Sequence, residues 1–255
     1  MPLPEADLPA NLLADRDLTP ARTAFFLDFD GTLAPIVPDP ERAAVTAETL
    51  DALRWLKEKT GGALAVVSGR SIAQLDRMLH PLRLPVAGVH GLERRSAAGA
   101  LSRTPFDAAL QRRLTATVGA FVGGRPGLLA EVKPGSVALH YRKRPETEAD
   151  CLAFAIEAAQ AEPRIRIMPG KKVVEMKLGP RTKGDAIADF MAEPPFAGRL
   201  PFFAGDDLTD EAGFAVVNAM GGVSLKVGPG ETQARHRIEG IAAFTTWLEQ
   251  LAAQG

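Results

Sequence analysis

The chain has 255 residues, enough for one large domain or two modest ones. Hydrophobic residues make up 46% and charged residues 24%, so a sizeable core can form and a folded chain is expected rather than a disordered one. A net charge of -1 without a basic block gives no support for nucleic acid as a partner, and no apolar run is long enough to span a membrane.

The first segment, Met1 to Asp17, contains acids and prolines and lacks the basic start and apolar centre of a secretory signal. The single cysteine, Cys151, excludes an intrachain disulfide framework and suits a reducing compartment. The expected location is cytoplasmic, and a monomer is the default expectation. Phe25-Phe26-Leu27-Asp28-Phe29-Asp30-Gly31-Thr32 follows. An apolar run typical of a buried parallel strand, at about 24–29, ends in two acids one residue apart. Asp28 and Asp30 project beyond the strand's carboxyl end, where open α/β sheets bind ligands. Carboxylates crowded together repel unless a proton or a cation intervenes. A hard divalent metal, or a division into nucleophile and acid/base, would relieve the repulsion. An Asp-Gly turn with no catalytic role is the plainer reading of this segment alone.

Glu41 to Lys59 carries Val45, Leu50, Leu53, Trp55 and Leu56 between charges, which predicts an amphipathic helix over 46–59 ended by Gly61-Gly62. A strand at 63–68 then ends in Ser68-Gly69-Arg70. Ser68 Oγ and nearby backbone N–H groups suit a phosphate oxygen, and Ser68 is equally readable as a turn or helix-capping residue. A helix over 71–80 and a strand over 85–89 continue the alternation of a parallel, doubly wound sheet.

The pattern changes after about residue 97. Helices at about 105–121 and 145–160 are each followed by an antiparallel hairpin. The first hairpin turns at Pro134-Gly135-Ser136 and the second at Pro169-Gly170-Lys171. Two such units predict a small antiparallel sheet with two helices on one face, inserted into the parallel core. The expected division is a core over 1–97 and 179–255 and a cap over 98–178, with hinges near 95–99 and 177–181. On the hairpins, Glu131 and Lys133 share one face by period two, as do Glu175 and Lys177. Acids and amines together suit a polyhydroxylated sugar, and they equally suit a solvated sheet face.

Parallel alternation resumes at Thr182-Lys183. Thr182 reads as an N-cap, which puts Lys183 in the first helical turn, the unfavourable end for a cation unless it faces an anion. Leu200 to Ala204 is a last apolar run, and Gly205-Asp206-Asp207-Leu208-Thr209-Asp210 follows it. Those acids can join a metal site, and Asp210 can also cap the next helix.

In chain order the four elements are Asp-x-Asp-Gly-Thr, Ser, Lys and Gly-Asp-Asp-x-x-Asp. In that order and context the sequence resembles the haloacid dehalogenase-like (HAD) phosphohydrolase superfamily. A narrower resemblance, to trehalose-6-phosphate phosphatases, runs from about Phe25 to the end of the chain. It is carried by Asp28 to Ile36, Val67 to Arg70, Gly88-Val89-His90-Gly91-Leu92-Glu93, Glu131 to Arg142 and Gly170 to Lys177. The resemblance implies an α/β fold, a HAD-like Rossmannoid parallel-sheet core with an inserted α+β cap domain. It implies a Mg²⁺-dependent phosphatase acting on a small-molecule sugar phosphate, with Asp28 as nucleophile and Asp30 as general acid/base. Ser68 and Lys183 would hold the phosphoryl group. Asp28, Asp30 through its carbonyl, and Asp206 would bind Mg²⁺, with Asp207 or Asp210 in or near its shell. Glu131, Lys133 and Glu175 would bind the sugar, with Arg70, His90, Glu93 and Arg142 as further candidates. Alternatives of the same architecture are sucrose-phosphate and mannosyl-phosphoglycerate phosphatases. A catalytically inactive sugar-phosphate sensor and a phosphomutase are the others.

Overall fold

A computed structural model describes residues 19–253. The segment Met1 to Asp17, read above as lacking a secretory signal, lies outside the described residues. The chain divides into two compact units, one of 1–102 with 182–255 and one of 103–181.

The first unit is built on an eight-stranded sheet in the order β12-β11-β10-β1-β2-β3-β4-β5. The strands are β1 (Thr23–Leu27), β2 (Leu64–Val67), β3 (Val86–Gly88), β4 (Glu93–Arg95), β5 (Leu101–Arg103), β10 (Leu200–Gly205), β11 (Val223–Val227) and β12 (His236–Ile238). β12 through β3 are parallel, and β4 is antiparallel to β3. From β1 the chain moves one way to β2 and β3, and later from β10 the other way to β11 and β12. The order reverses between β1 and β10, and such a switch point opens a crevice at the strands' carboxyl ends.

Both faces of this sheet are covered, which is why β1 reads as a continuous apolar run. Phe25, Leu27, Val66, Phe202 and Leu225 pack against Leu53, Leu56, Leu75, Phe244 and Leu248. Those residues come from α1 (Ala47–Lys59), α2 (Ile72–Met78) and α7 (Ile241–Ala253). On the other face Phe26, Val67 and Phe203 meet Ile187, Phe190, Phe214 and Val217 of α5 (Lys183–Met191) and α6 (Glu211–Ala219). The helix expected from Thr182 is α5, capped by Thr182 Oγ1 on the Asp185 N–H.

The small edge hairpin β4–β5 was not legible from periodicity. Its turn is closed by the Ser96 N–H on the Ala100 carbonyl at 2.9 Å and by Gly99 N–H on Ser96 at 3.0 Å. The 95–99 segment, expected as a hinge, is therefore a hydrogen-bonded hairpin turn, and the first unit runs on to Ser102.

The second unit has a four-stranded antiparallel sheet in the order β6-β7-β9-β8. Its strands are β6 (Leu129–Lys133), β7 (Ser136–His140), β8 (Ile165–Gly170) and β9 (Val173–Leu178). α3 (Ala108–Gly123) and α4 (Glu148–Ala161) pack on one face through Leu110, Leu114, Val118, Cys151 and Ala155. They meet Val137, Leu139, Val174 and Met176, which alternate along β7 and β9 with the residues of the opposite face. Among the described residues no helix is long and apolar enough to cross a membrane.

Candidate active site

Four candidate residues stand at the junctions where regular structure begins or ends. Asp28 follows β1, Ser68 follows β2, Asp206 follows β10 and Lys183 opens α5. β2 and β10 flank β1, so the three strand ends lie side by side at the sheet's switch point.

Lys183 resolves the anomaly of a cation at a helix start. Its ammonium is 2.7 Å from Asp28 Oδ1 and 2.6 Å from Asp210 Oδ1, and it is almost fully buried. Burial alone would pull the ammonium down, yet the Asp210 and Asp28 carboxylates outweigh it and hold it above lysine's ordinary range. Asp28 is raised as well, which in a carboxyl favours the neutral form. Burial first, then the Asp210 carboxylate, push it well above the usual carboxylate value, with Asp206 adding to the effect and Lys183 opposing it.

Asp28, Asp206 and Asp210 form a buried trio whose oxygens lie within 4.8 Å of one another. Asp210 Oδ2 accepts the N–H groups of Asp206 at 3.0 Å and Asp207 at 2.9 Å, so it ties the loop to Lys183. It stands at the N-cap position of α6, as the sequence suggested, but its carboxylate makes no capping bond to that helix. Asp207 is not one of the trio, and its Oδ1 accepts the Leu208 N–H and caps the short turn there. Gly31 completes the cradle. Its φ is +86°, and a Cβ there would stand 2.0 Å from Asp206 Oδ2, so only glycine admits this carboxylate. Carboxylate oxygens gathered this closely are hard donors of the kind that suit a divalent ion such as Mg²⁺.

Asp30, at 27% side-chain exposure, is held by a fork. Arg70 Nε reaches Asp30 Oδ2 at 2.7 Å and its terminal nitrogen reaches Oδ1 at 2.6 Å. The Arg70 backbone N–H donates to Ser68 Oγ at 3.1 Å. Arg70, expected as a substrate ligand, thus links the end of β2 to the acid beyond β1. His90 lies against the same turn, its Nε2 2.5 Å from where a Cβ on Gly69 would stand. Val89 and His90 both adopt left-handed backbone, φ 47° and 51°, which is rare for a β-branched residue. Strain of this kind concentrates at functional sites. Glu93, expected as a sugar ligand, is buried and accepts the Ile72 N–H at 2.6 Å, the first N–H of α2.

In the second unit Glu131, Lys133 and Glu175 lie on the sheet face away from the helices, joined there by His140 and Ser136. Lys133 Nζ is 3.3 Å from Glu175 Oε2 and 3.6 Å from Glu131 Oε2. His140 Nε2 is 2.8 Å from the same Glu131 oxygen. The Ser136 hydroxyl donates to Glu175 Oε1. His140 and Ser136 were missed because their neighbours are cross-strand, and strand order cannot be read from spacing. Arg142 is half-buried in the turn after β7, and the Lys177 ammonium donates to the Arg181 carbonyl.

Comparison with known proteins identifies the family. The family model described as trehalose-phosphatase matches residues 26–242. The trehalose-6-phosphate phosphatase of Escherichia coli (strain K12) is 44% identical over 231 residues, covering 91% of this chain and 87% of that protein. The C-terminal domain of the Candida albicans trehalose-6-phosphate phosphatase superposes with a TM-score of 0.87 at 22% identity, covering 99% of each chain. A crystal structure titled as a trehalose-6-phosphate phosphatase related protein gives a TM-score of 0.73 at 27% identity over 91% of this chain and 97% of that one. With a family model over most of its length and an enzyme relative at this identity, the chain is a phosphatase that belongs to the trehalose-phosphatase family.

Proposed function

We propose that this chain hydrolyses trehalose 6-phosphate to trehalose and phosphate, using Mg²⁺ and a covalent aspartyl-phosphate. The observation that carries this reading is the buried Lys183 ammonium bridging Asp28 and Asp210 at the end of β1, with Ser68 at the end of the neighbouring strand β2. The likeness to the E. coli enzyme named for that substrate supports the choice of sugar phosphate.

Asp28 and Asp206 would hold Mg²⁺, with the Asp30 carbonyl as a third donor and Asp210 fixing the loop. The bound ion would supply positive charge that offsets both the phosphate and the attacking carboxylate. An Asp28 oxygen attacks phosphorus, and the bond from phosphorus to the sugar oxygen breaks. Asp30 gives its proton to that oxygen, then takes one from the water that cleaves the acyl phosphate and restores Asp28. The Ser68 hydroxyl and Lys183 ammonium meet the peripheral phosphoryl oxygens. The Arg70 fork presents Asp30 in a fixed orientation.

The second unit acts as the inserted specificity cap in this reading. Glu131, Lys133 and Glu175 offer acceptors and donors to sugar hydroxyls. The single cysteine is consistent with work in the cytoplasm.

Phosphate release from trehalose 6-phosphate, compared with glucose 6-phosphate and sucrose 6-phosphate, tests the assignment. The expected result is strong preference for trehalose 6-phosphate, abolished by a chelator and restored by Mg²⁺. Equal turnover of all three would overturn the substrate, and full activity in chelator would overturn the metal.

A further inference from the structure

Lys226 is a buried lysine outside every residue assigned above. It belongs to β11, pairs with Gly205 of β10 and is 4% exposed. Its strand neighbours Ser224, Leu225 and Val227 are also buried. An ammonium seldom occupies such a place without compensating acceptors or opposite charge, and an apolar side chain would ordinarily pack there instead. The Lys226 Nζ donates to the main-chain carbonyl of Asp206 at 2.8 Å.

This contact completes a clamp on one residue. The Asp206 N–H is held by Asp210 Oδ2 at 3.0 Å, and its carbonyl is held by Lys226. Its carboxylate occupies the space left by the missing side chain of Gly31. The two backbone anchors come from separate parts of the fold, the loop before α6 and strand β11. A loop residue pinned at both ends of its own backbone keeps its side chain on a fixed course. Groups that orient a metal ligand in this way are worth much of the affinity of the site itself.

We infer that Lys226 is a positioning residue for the metal site, acting through the Asp206 backbone to hold that carboxylate in the acidic trio. This rests on the reading of Asp28 and Asp206 as Mg²⁺ ligands. A second account of Lys226 makes it a counter-charge to the acids. The two accounts predict opposite signs, because removing a nearby positive charge by itself would tighten binding of a cation.

The test is calorimetric titration of Mg²⁺ into metal-stripped wild type, Lys226→Met and Lys226→Arg, with unfolding midpoints of each measured in chelator. Positioning predicts that Lys226→Met weakens Mg²⁺ binding by about 10- to 100-fold, the usual range for a group supporting a ligand. Lys226→Arg, which keeps a donor, should recover part of that loss. Mg²⁺ affinity in Lys226→Met within twofold of wild type, or tighter, would overturn the proposal. So would a fall in the unfolding midpoint with affinity unchanged, since a purely structural lysine would behave so. If Lys226→Met does not fold, Lys226→Gln carries the same comparison with the same limits. Wild type that binds no Mg²⁺ would overturn both the metal reading and this inference, whereas wild-type binding with an unaffected variant overturns the inference alone.

Discussion

Asp28 carries the largest consequence at the scale of a residue. Its carboxyl is raised well above the usual value because it is buried beside Asp210 and Asp206. A group raised in the folded state favours the protonated form there. Its stabilising contribution is complete below the ordinary carboxylate value of 3.8 and is lost as pH rises through the folded value. In metal-free protein at a pH above that folded value, the ionised Asp28 therefore works against folding. Asp28→Asn is expected to abolish turnover, by ~10⁴-fold or more, while its unfolding midpoint in chelator equals or exceeds that of wild type. A clearly lower midpoint would show that the ionised carboxylate stabilises the site, contrary to this reading. Gly31→Ala makes a second residue-scale test. The left-handed backbone alone costs about 1–2 kcal/mol for a residue with a Cβ, and that Cβ would also displace Asp206. Half-saturation by Mg²⁺ in a phosphate-release assay should shift to higher concentration, and an unshifted curve would argue that Asp206 is not a ligand.

At the scale of elements, the site depends on how closely α5 and α6 approach. Lys183 opens α5, and Asp210 immediately precedes α6. Gly184 lets them meet, since a Cβ there would stand 2.4 Å from the Ala212 carbonyl and 2.9 Å from Val216 Cγ2. Gly184→Ala should force the helices apart, at about 1–3 kcal/mol of stability by overpacking. Because that shift separates Lys183 from its acids, turnover should fall along with the denaturation midpoint. Full activity in a destabilised variant would show that the bridge tolerates the displacement. The same scale explains what periodicity could and could not deliver. The helices 46–59 and 145–160 and the two hairpins were readable because one face of each is apolar and glycine or proline marks the turns. β4, β5, β11 and β12 were not recognised. β4, β5 and β12 are only three residues each, and β11 carries a serine and a lysine that break an apolar run.

Two units of different construction share one chain, and each contributes different chemistry in the proposed reaction. The polar face of the second unit gives the clearest whole-molecule test. Glu175→Ala removes the partner of both Ser136 and Lys133. If that face binds the sugar, kcat/KM for trehalose 6-phosphate should fall by ~1–3 kcal/mol, the usual loss when a polar partner is removed, with hydrolysis of a small aryl phosphate little changed. Parallel loss on both substrates would indicate general damage rather than lost recognition. The sequence by itself determined the parallel core and the inserted α+β segment, and it singled out Asp28, Asp30, Ser68, Lys183 and Asp206 as candidates. These were legible because each sits at the boundary of a strongly patterned element, where an apolar run stops at a polar residue. Only the tertiary structure decided which acids share the Lys183 ammonium at its helix start, that Arg70 grips Asp30 and that Glu93 serves the backbone of α2. Those pairings join residues far apart in the chain, and they are set by strand order and helix approach, which local spacing does not encode.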